Sequence, residues 1–274
     1  MDLIAVEQVV LPRARAQIPA WSADTSLLGG GTWLFSEPQP DIRRLVDLTA
    51  LGWESLRVDA DGLHVAATCT IAELSRVALS PDWRAGDLIA RCCHALLGSF
   101  KVWNAATVGG NICLALPAGP MTALAVALGG VALIWQPDGG ERRLPVEHLV
   151  LGERHTALAP GELLRSVILP VSGLRCRFAF RQISLTPHGR SGALLIGLRS
   201  RDGGFALTLT ASTRRPIRLD FAALPSPAAL AGRIETEVST TGLWHDDIHG
   251  DPRWRRHVSL LLAAEIRDEL TTSA

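Results

Sequence analysis

The chain has 274 residues, of which 47% are hydrophobic and 20% charged, and its formal net charge at pH 7 is zero. This length and balance exclude intrinsic disorder and allow one large domain or two, each with a buried core. Because neither sign of charge is in excess, the composition does not favour a nucleic acid or an anionic membrane surface as a partner.

The first 52 residues have the pattern of a small α/β unit. Strands are predicted over 4–11, 26–28 and 41–48, and a short helix over 13–21. The second of these strands runs into the cluster Gly29-Gly30-Gly31. A strand that ends in a glycine-rich turn places backbone donors at the edge of a sheet, where open α/β proteins commonly bind ligands.

The middle of the chain alternates hairpins with helices. Asp59-Ala60-Asp61-Gly62 and Pro137-Asp138-Gly139-Gly140 each separate two short apolar runs, which predicts two β-hairpins. Thr70-Ile71-Ala72-Glu73 has the spacing of a capping box and predicts the start of a helix. A helix is expected over 87–97 because its apolar residues recur at helical spacing, and another over 121–128 because this stretch is rich in alanine and leucine, the best helix formers.

Beyond Pro170 the pattern is that of an antiparallel sheet followed by a helix. Three strands are predicted there: 177–183, 193–200 and 205–211. Residues 217–221 are a candidate edge strand, and the proline- and alanine-rich stretch 222–232 is interpreted as a connector. The closing helix is expected to begin after Asp251, a good N-cap, with Pro252 in its first turn.

The five cysteines are Cys69, Cys92, Cys93, Cys113 and Cys176, and no two of them form a C-x-x-C motif. Adjacent cysteines on a helix point in different directions, so neither a shared metal nor a disulfide is expected at 92–93. We expect buried free thiols in a reducing compartment and no iron–sulfur cluster. The acidic start of the chain does not resemble a signal peptide and no apolar run is long enough for a bilayer, so a cytoplasmic location is predicted.

Two glycine clusters stand out, Gly29-Gly30-Gly31 and Gly109-Gly110. Glycine has no Cβ, so two such turns can present successive N–H groups to one anionic group at close range. Each cluster alone is also explained as a tight turn. Neither fits the G-x-G-x-x-G or G-x-x-x-x-G-K-[ST] pattern, so a Rossmann or P-loop assignment is unsupported.

The sequence resembles the FAD-binding (medium) subunits of the xanthine dehydrogenase and carbon monoxide dehydrogenase family, the molybdenum hydroxylases. Gly29 to Trp33 resembles their AGGT-D loop and Thr107 to Asn111 their T-[IV]-G-G-N loop. Leu116 to Pro120 is similar to the [SD]-P-A-x-D that follows. The similarity continues, in the family's order, in three later segments: 161–170, 179–182 and 250–256.

The resemblance implies that FAD is bound by both clusters and two later positions: Gly29, Gly30, Gly31, Thr32, Trp33, Thr107, Val108, Gly109, Gly110, Asn111, Leu164 and Arg181. The backbone of the clusters would hold the pyrophosphate, with the Thr107 hydroxyl and the Asn111 amide as further partners. Leu164 would pack near the flavin ring. Arg181 would approach the ring and stabilise its reduced, anionic form, unless it forms a surface ion pair instead.

The implied fold is α+β. A two-lobed FAD-binding domain of the PCMH/CO dehydrogenase flavoprotein type would cover 1–170, with lobes of about 1–52 and 53–170. A C-terminal domain over 171–274 would contain an antiparallel three-stranded sheet with helices. The boundary is placed at Pro170.

The implied function is electron transfer from the [2Fe-2S] clusters of a small subunit, through FAD, to an external acceptor. A large subunit with a molybdenum cofactor would carry out the hydroxylation, and a dimer of heterotrimers is expected. The lack of G-x-S-x-G and H-E-x-x-H motifs in this chain agrees with that division of labour. His245-Asp246-Asp247-Ile248-His249 has the composition of a metal site, but a solvated polar connection is the alternative.

Three positions depart from the family pattern: Pro120 replaces an aspartate, Trp33 an acidic or polar residue, and Trp103 an arginine. Either tryptophan can stack on a ring or simply pack in the core. Two other functions therefore stay open. A scaffold subunit without a redox role would contain no FAD in an intact complex, and a free-standing FAD oxidoreductase would be a monomer with its own substrate turnover.

Overall fold

The computed structural model describes residues 3–271; residues 1–2 and 272–274, the extreme ends of the two expected domains, lie outside the described part. In chain order the described strands are β1 Gln8–Val10, β2 Thr25–Leu28, β3 Arg44–Asp47, β4 Leu56–Val58, β5 Gly62–Ala66, β6 Val131–Trp135, β7 Glu141–Pro145, β8 Val150–Gly152, β9 His155–Thr156, β10 Leu163–Pro170, β11 Arg177–Ile183, β12 Ala193–Arg199, β13 Phe205–Thr210 and β14 Ile217–Phe221. The described α-helices are α1 Ile71–Leu74, α2 Gly86–Ala95, α3 Phe100–Ala105, α4 Val108–Leu114, α5 Pro120–Ala127, α6 Val146–Leu149, α7 Val171–Leu174, α8 Pro227–Ile234 and α9 Pro252–Glu269. From residue 3 to residue 271, no helix combines the length and apolar character that crossing a membrane requires.

The N-terminal lobe is built on a parallel sheet in the order β1–β3–β2. All three predicted strands are present; β1 and β3 are shorter than expected, and β2 begins one residue earlier. The helix predicted over 13–21 is wrong, because only a 3-10 turn forms, Arg15–Gln17. Ile18 precedes Pro19 and adopts an extended backbone, since the proline ring disfavours the helical conformation of the residue before it.

The middle lobe is an antiparallel sheet in the order β4–β5–β10–β6–β7. Both predicted hairpins and the capping box of Thr70 and Glu73 are confirmed. The central strand, β10, pairs with β5 and β6 and has a bulge between Leu164 and Ser166. All eight residues of α5 are buried, so this helix lies inside the protein rather than on its surface.

The C-terminal part is an antiparallel sheet in the order β11–β12–β13–β14. The candidate edge strand is thus confirmed and makes this described sheet four-stranded instead of three-stranded. The connector predicted over 222–232 is wrong, because α8 occupies most of it. Ser226 caps this helix by accepting a hydrogen bond from the Ala229 N–H at 3.2 Å, and Pro227 sits in the first turn, where a missing N–H costs nothing.

One large hydrophobic core extends across residue 170. Leu194 and Ile196 of β12 belong to the same buried cluster as Ile134 and Leu169 of the middle sheet. A second cluster lies between the C-terminal sheet and helices α8 and α9. The domain division at Pro170 stays a prediction.

The five cysteines are free thiols, as expected. Burial raises the pKa of the Cys69, Cys93 and Cys113 thiols to about 12 and that of Cys92 well above its usual value. These thiols are therefore protonated and unreactive at neutral pH.

Candidate functional site

The first glycine cluster forms a tight turn where β2 ends. Gly31 has φ +68°, in the left-handed region that favours glycine, and a Cβ there would lie 2.4 Å from the Phe35 ring. The Phe35 N–H donates to the Gly31 carbonyl at 2.9 Å and closes one helical turn. The strand therefore leads directly into a backbone turn at the carboxyl edge of a parallel sheet, as predicted.

The backbone amides of this turn are available to a ligand. Within the described part of the chain, the N–H groups of residues 30–34 donate to no protein acceptor. Successive N–H groups in a turn form a concave site that binds anions. This run of free donors is the strongest local indication of an anionic ligand.

The sequence predicts a glycine turn at the second cluster, but the structure has a helix there. Thr107 is the N-cap of α4, and Gly109 and Gly110 lie in its first turn. The Thr107 Oγ1 accepts the Gly110 N–H at 3.1 Å, the arrangement that makes threonine a good cap. The remaining first-turn amides are also engaged: those of Val108, Gly109 and Asn111 donate to backbone carbonyls at 2.9, 2.9 and 3.0 Å. A ligand can therefore approach the backbone of this segment closely, but the first-turn amides are not free to bind it.

The two glycine segments lie side by side. A Cβ on Gly30 would be 1.5 Å from the Ala105 carbonyl oxygen, and one on Gly29 would be 2.7 Å from the Thr107 Oγ1. The second cluster also lies against Ala67, because a Cβ on Gly109 would be 2.5 Å from the Ala67 Cβ. Glycine is thus required because backbones touch here.

A cavity of about 580 Å³ opens along these segments. Eight of the residues expected from the family resemblance line it: Gly29, Gly30, Gly31, Thr32, Trp33, Thr107, Gly110 and Asn111. Its volume falls within the range usual for small-molecule and cofactor sites, roughly 300–1,000 Å³. Val108, Gly109, Leu164 and Arg181 are not part of its lining.

Polar side chains add donors to the free amides. The Asn111 Oδ1 accepts the Met121 N–H at 3.0 Å, which leaves the two Nδ2 protons directed elsewhere. The Thr107 hydroxyl makes no hydrogen bond in the described part beyond the one it accepts from Gly110. The Trp33 Nε1 is buried without a partner although Trp33 lines the cavity. Because buried donors are normally paired, an acceptor on a bound molecule would complete this wall.

The charge of the lining is one-sided. Arg190 is the one charged residue among the described residues that line the cavity, and no carboxylate is present. Pro120 lies in the wall where the family has an aspartate, which removes the acid expected there. Burial raises the pKa of the Cys113 thiol, also in the wall, to about 12, so this thiol adds no negative charge. The cavity therefore suits an anionic ligand.

Two expected residues lie elsewhere. Leu164 is 3% exposed on β10, in the main core. Arg181 on β11 forms ion pairs with Glu265 at 2.8 Å and Glu269 at 2.7 Å, and the hydrogen bond from Glu265 raises its pKa. This is the surface ion pair that the sequence left open, so the roles of these residues toward a flavin ring stay predictions.

Trp103 also lies outside the cavity lining. Its Nε1 donates to the Leu96 carbonyl at 3.2 Å, and its ring centroid lies 5.0 Å from that of His94. These contacts explain it as a packing residue.

In each of the two histidine–aspartate clusters, one aspartate forms an ion pair with an arginine. The possible ligand atoms of Asp59, Asp61 and His64 lie within 4.8 Å of one another, and the Arg57 guanidinium forms an ion pair with Asp59 at 2.9 Å. In the 245–249 segment, Asp247 forms an ion pair with the buried Arg255. Each cluster therefore contains an aspartate whose charge is balanced by an arginine.

Sequence reasoning missed Arg190 and Ser191, which reach the cavity from the connection between β11 and β12. The only local signal is an arginine in the polar stretch Gly189-Arg190-Ser191-Gly192 between two predicted strands. Such a stretch is typical of an ordinary hairpin loop, and only the packing of the C-terminal sheet on the middle lobe brings it to the cavity.

Free amide donors, an arginine and no acid, beside the carboxyl end of a parallel strand, are features typical of a protein that binds an anionic ligand such as a nucleotide. Residues 10–172 match the family described as the FAD binding domain in molybdopterin dehydrogenase. The chain belongs to this family, which confirms the resemblance inferred from the sequence and FAD as the cofactor of the family.

Similarity to individual proteins agrees with this assignment. Xanthine dehydrogenase from Oryza sativa subsp. japonica is 32% identical over 122 residues, 42% of this chain and 9% of that protein. Caffeine dehydrogenase subunit beta from Pseudomonas sp. (strain CBB1) is 27% identical over 219 residues, 76% of this chain and 72% of that protein. A chain of the carbon monoxide dehydrogenase from Hydrogenophaga pseudoflava superposes with a TM-score of 0.78 at 19% identity over 96% of both chains, and therefore shares the fold.

Proposed function

We propose that this chain is the FAD-binding electron-transfer subunit of a molybdenum hydroxylase complex. The observation that carries the proposal is the cavity along the two glycine segments, which combines free amide donors with an arginine in a chain of the FAD-binding family. FAD, when bound, supplies the transfer of electrons from the [2Fe-2S] clusters of a partner subunit to an external acceptor.

The residues of the chain bind and orient the cofactor. The N–H groups of residues 30–34 would donate to the diphosphate, and the Thr107 hydroxyl and Asn111 Nδ2 would donate from the neighbouring segment. The first turn of α4 contributes shape, since Gly110 leaves the wall open. No carboxylate or histidine lines the cavity among the described residues, so hydroxylation is assigned to the large subunit with the molybdenum cofactor.

The proposed assembly contains an iron–sulfur small subunit and a molybdenum-cofactor large subunit, as a dimer of heterotrimers in the cytoplasm. The relative from Pseudomonas is by name one subunit of an enzyme, which supports a subunit role. Exposed apolar side chains near the cavity, Leu97 at 50% and Phe100 at 74% exposure, are suited to contact a partner.

The test compares Gly110→Asp with Gly110→Ala in the purified complex. A Cβ at this position meets only the Thr107 Oγ1 within 4 Å, at 2.9 Å; both variants add this Cβ, and only the aspartate adds a negatively charged carboxylate to the cavity. Equimolar FAD in the wild type and the alanine variant, with strong loss of FAD absorbance in the aspartate variant, is the expected result.

Two outcomes would contradict the proposal. An intact complex that contains iron and molybdenum but no extractable FAD would indicate a scaffold subunit. A monomer with FAD and its own substrate turnover, without iron or molybdenum, would indicate a free-standing oxidoreductase.

A further inference from the structure

The guanidinium of Arg190 has no hydrogen-bonding or ionic partner among the described residues. The Arg190 side chain is half-buried at the cavity wall. A guanidinium withdrawn from water without a carboxylate loses hydration that only an anion or polar acceptor can replace. Most other arginines that line the folded interior, such as Arg142, Arg218 and Arg255, have acceptors in the chain.

The backbone next to Arg190 is fixed in position. The Gln182 Nε2 donates to the Ser191 Oγ at 2.8 Å, and the Gly192 N–H donates to the Ile183 carbonyl at 2.9 Å. The Arg255 Nη1 donates to the Gly192 carbonyl at 2.8 Å from a side chain that is 1% exposed. Arg190 therefore projects from a rigid end of β12, so little backbone entropy is lost when it binds a ligand.

We propose that Arg190 binds the diphosphate of FAD, so that the C-terminal sheet completes a site otherwise built by the N-terminal and middle lobes. This inference rests on the proposed function. The planar guanidinium matches a phosphate with two parallel hydrogen bonds, and amides 30–34 supply further donors. Pro120 leaves no acid in the described lining to compete for the guanidinium.

The experiment measures binding to the full chain after its flavin has been removed. FAD, ADP and riboflavin are titrated by calorimetry into the wild type, Arg190→Gln and Arg190→Lys. Arg190→Gln is expected to raise the Kd for FAD and for ADP about 10- to 100-fold, the loss usual for a charge-assisted hydrogen bond. The Kd for riboflavin, which has no phosphate, is expected to stay unchanged. Arg190→Lys keeps the charge but not the two parallel hydrogen bonds, so it should lose less affinity for FAD and ADP than Arg190→Gln.

Arg201→Gln is the matched control, because Arg201 lies exposed in the β12–β13 turn of the same sheet, outside the cavity lining. It should leave all three constants unchanged. Salt provides a second measurement: the wild-type affinity for FAD and ADP should fall as ionic strength rises while that for riboflavin stays level.

The outcomes separate the two proposals. If the wild type binds no FAD, the proposed function fails. If the wild type binds FAD and Arg190→Gln binds FAD and ADP equally well, only the role of Arg190 is overturned. An equal loss of riboflavin affinity would show that Arg190 merely supports the fold and would also overturn its role. Should Arg190→Gln not fold, a salt-independent affinity of the wild type for ADP would refute it.

Discussion

Glu162 gives the most quantitative prediction. Its side chain is 5% exposed and lies against Arg142, whose Nε and Nη2 donate to the two carboxylate oxygens at 2.7 and 2.6 Å. The Ala159 N–H and the Gln136 Nε2 donate to the same carboxylate at 2.9 and 3.3 Å. These donors, Arg142 above all, lower the pKa of Glu162 from its ordinary value of 4.5 to about 2.

The contribution of the Glu162 charge to the free energy of unfolding follows from this pKa. A tenfold change in acid dissociation is worth about 1.36 kcal/mol, so the difference between 4.5 and about 2 corresponds to about 3 kcal/mol at neutral pH. Because the folded-state pKa is the lower one, this stabilisation is complete above about pH 5 and is lost as the pH falls through about 2. About 1.4 kcal/mol should remain at pH 3.

Urea denaturation of the wild type and Glu162→Gln at pH 7 and pH 3 measures the effect. The glutamine variant should be less stable by about 3 kcal/mol at pH 7, and the gap should shrink to about half or less at pH 3. Glu54→Gln, at an exposed position, is the control and should change stability by less than about 0.5 kcal/mol. A gap of the same size at both pH values would refute the reasoning, since it would show that packing and not charge is responsible.

Three further predictions follow from the packing. Gly30→Ala should abolish FAD retention because its Cβ would overlap the Ala105 carbonyl, whereas Gly232→Ala, with nothing within 4 Å, should stabilise α8 by about 0.5–1 kcal/mol in thermal unfolding. Asp247→Asn leaves the buried Arg255 without its counter-ion and should cost about 3–5 kcal/mol in urea denaturation; a loss below about 1 kcal/mol would contradict this. The buried thiols of Cys69, Cys92, Cys93 and Cys176 should react with Ellman's reagent at pH 8 only after unfolding, and fast labelling of these four in the folded chain would show that they are accessible.

Local chemistry explains which parts of the fold could be predicted. The Asp-Gly hairpin turn, the Thr70 capping box and the Asp251–Pro252 helix start each depend on a few adjacent residues, and each is present as expected. Helix α8 was not predicted, because the proline and alanine content of residues 222–232 suggested a linker. Ser226 and Pro227 are instead the N-cap and the first residue of a helix. A serine followed by a proline favours the start of a helix.

The site could be predicted in part for the same reason. The sequence predicts that the two glycine clusters converge, and Gly30 does lie against Ala105 next to the second cluster. Nothing in either cluster distinguishes a turn from the first turn of a capped helix. Arg190 could not be predicted, because its place in the cavity depends on how the C-terminal sheet docks. Contacts between distant segments of this kind leave no periodic signal in the sequence.

Arginines that bind backbone carbonyls hold the parts of the cavity together. Arg15 donates to the Gly140 carbonyl at 2.5 Å and lies 4.6 Å from the Trp135 ring centroid, which fixes the N-terminal lobe on the β6–β7 hairpin. Arg218 donates to the Val126 and Ala127 carbonyls at 2.9 and 2.5 Å and so ties the C-terminal sheet to α5. A guanidinium can bind several carbonyls at once, because its rigid fork carries five donors. Arg15 and Arg218 thus hold neighbouring parts of the fold together through backbone carbonyls, whereas Arg190, in the wall of the cavity, has no hydrogen-bond or ion-pair partner among the described residues and is available to a ligand.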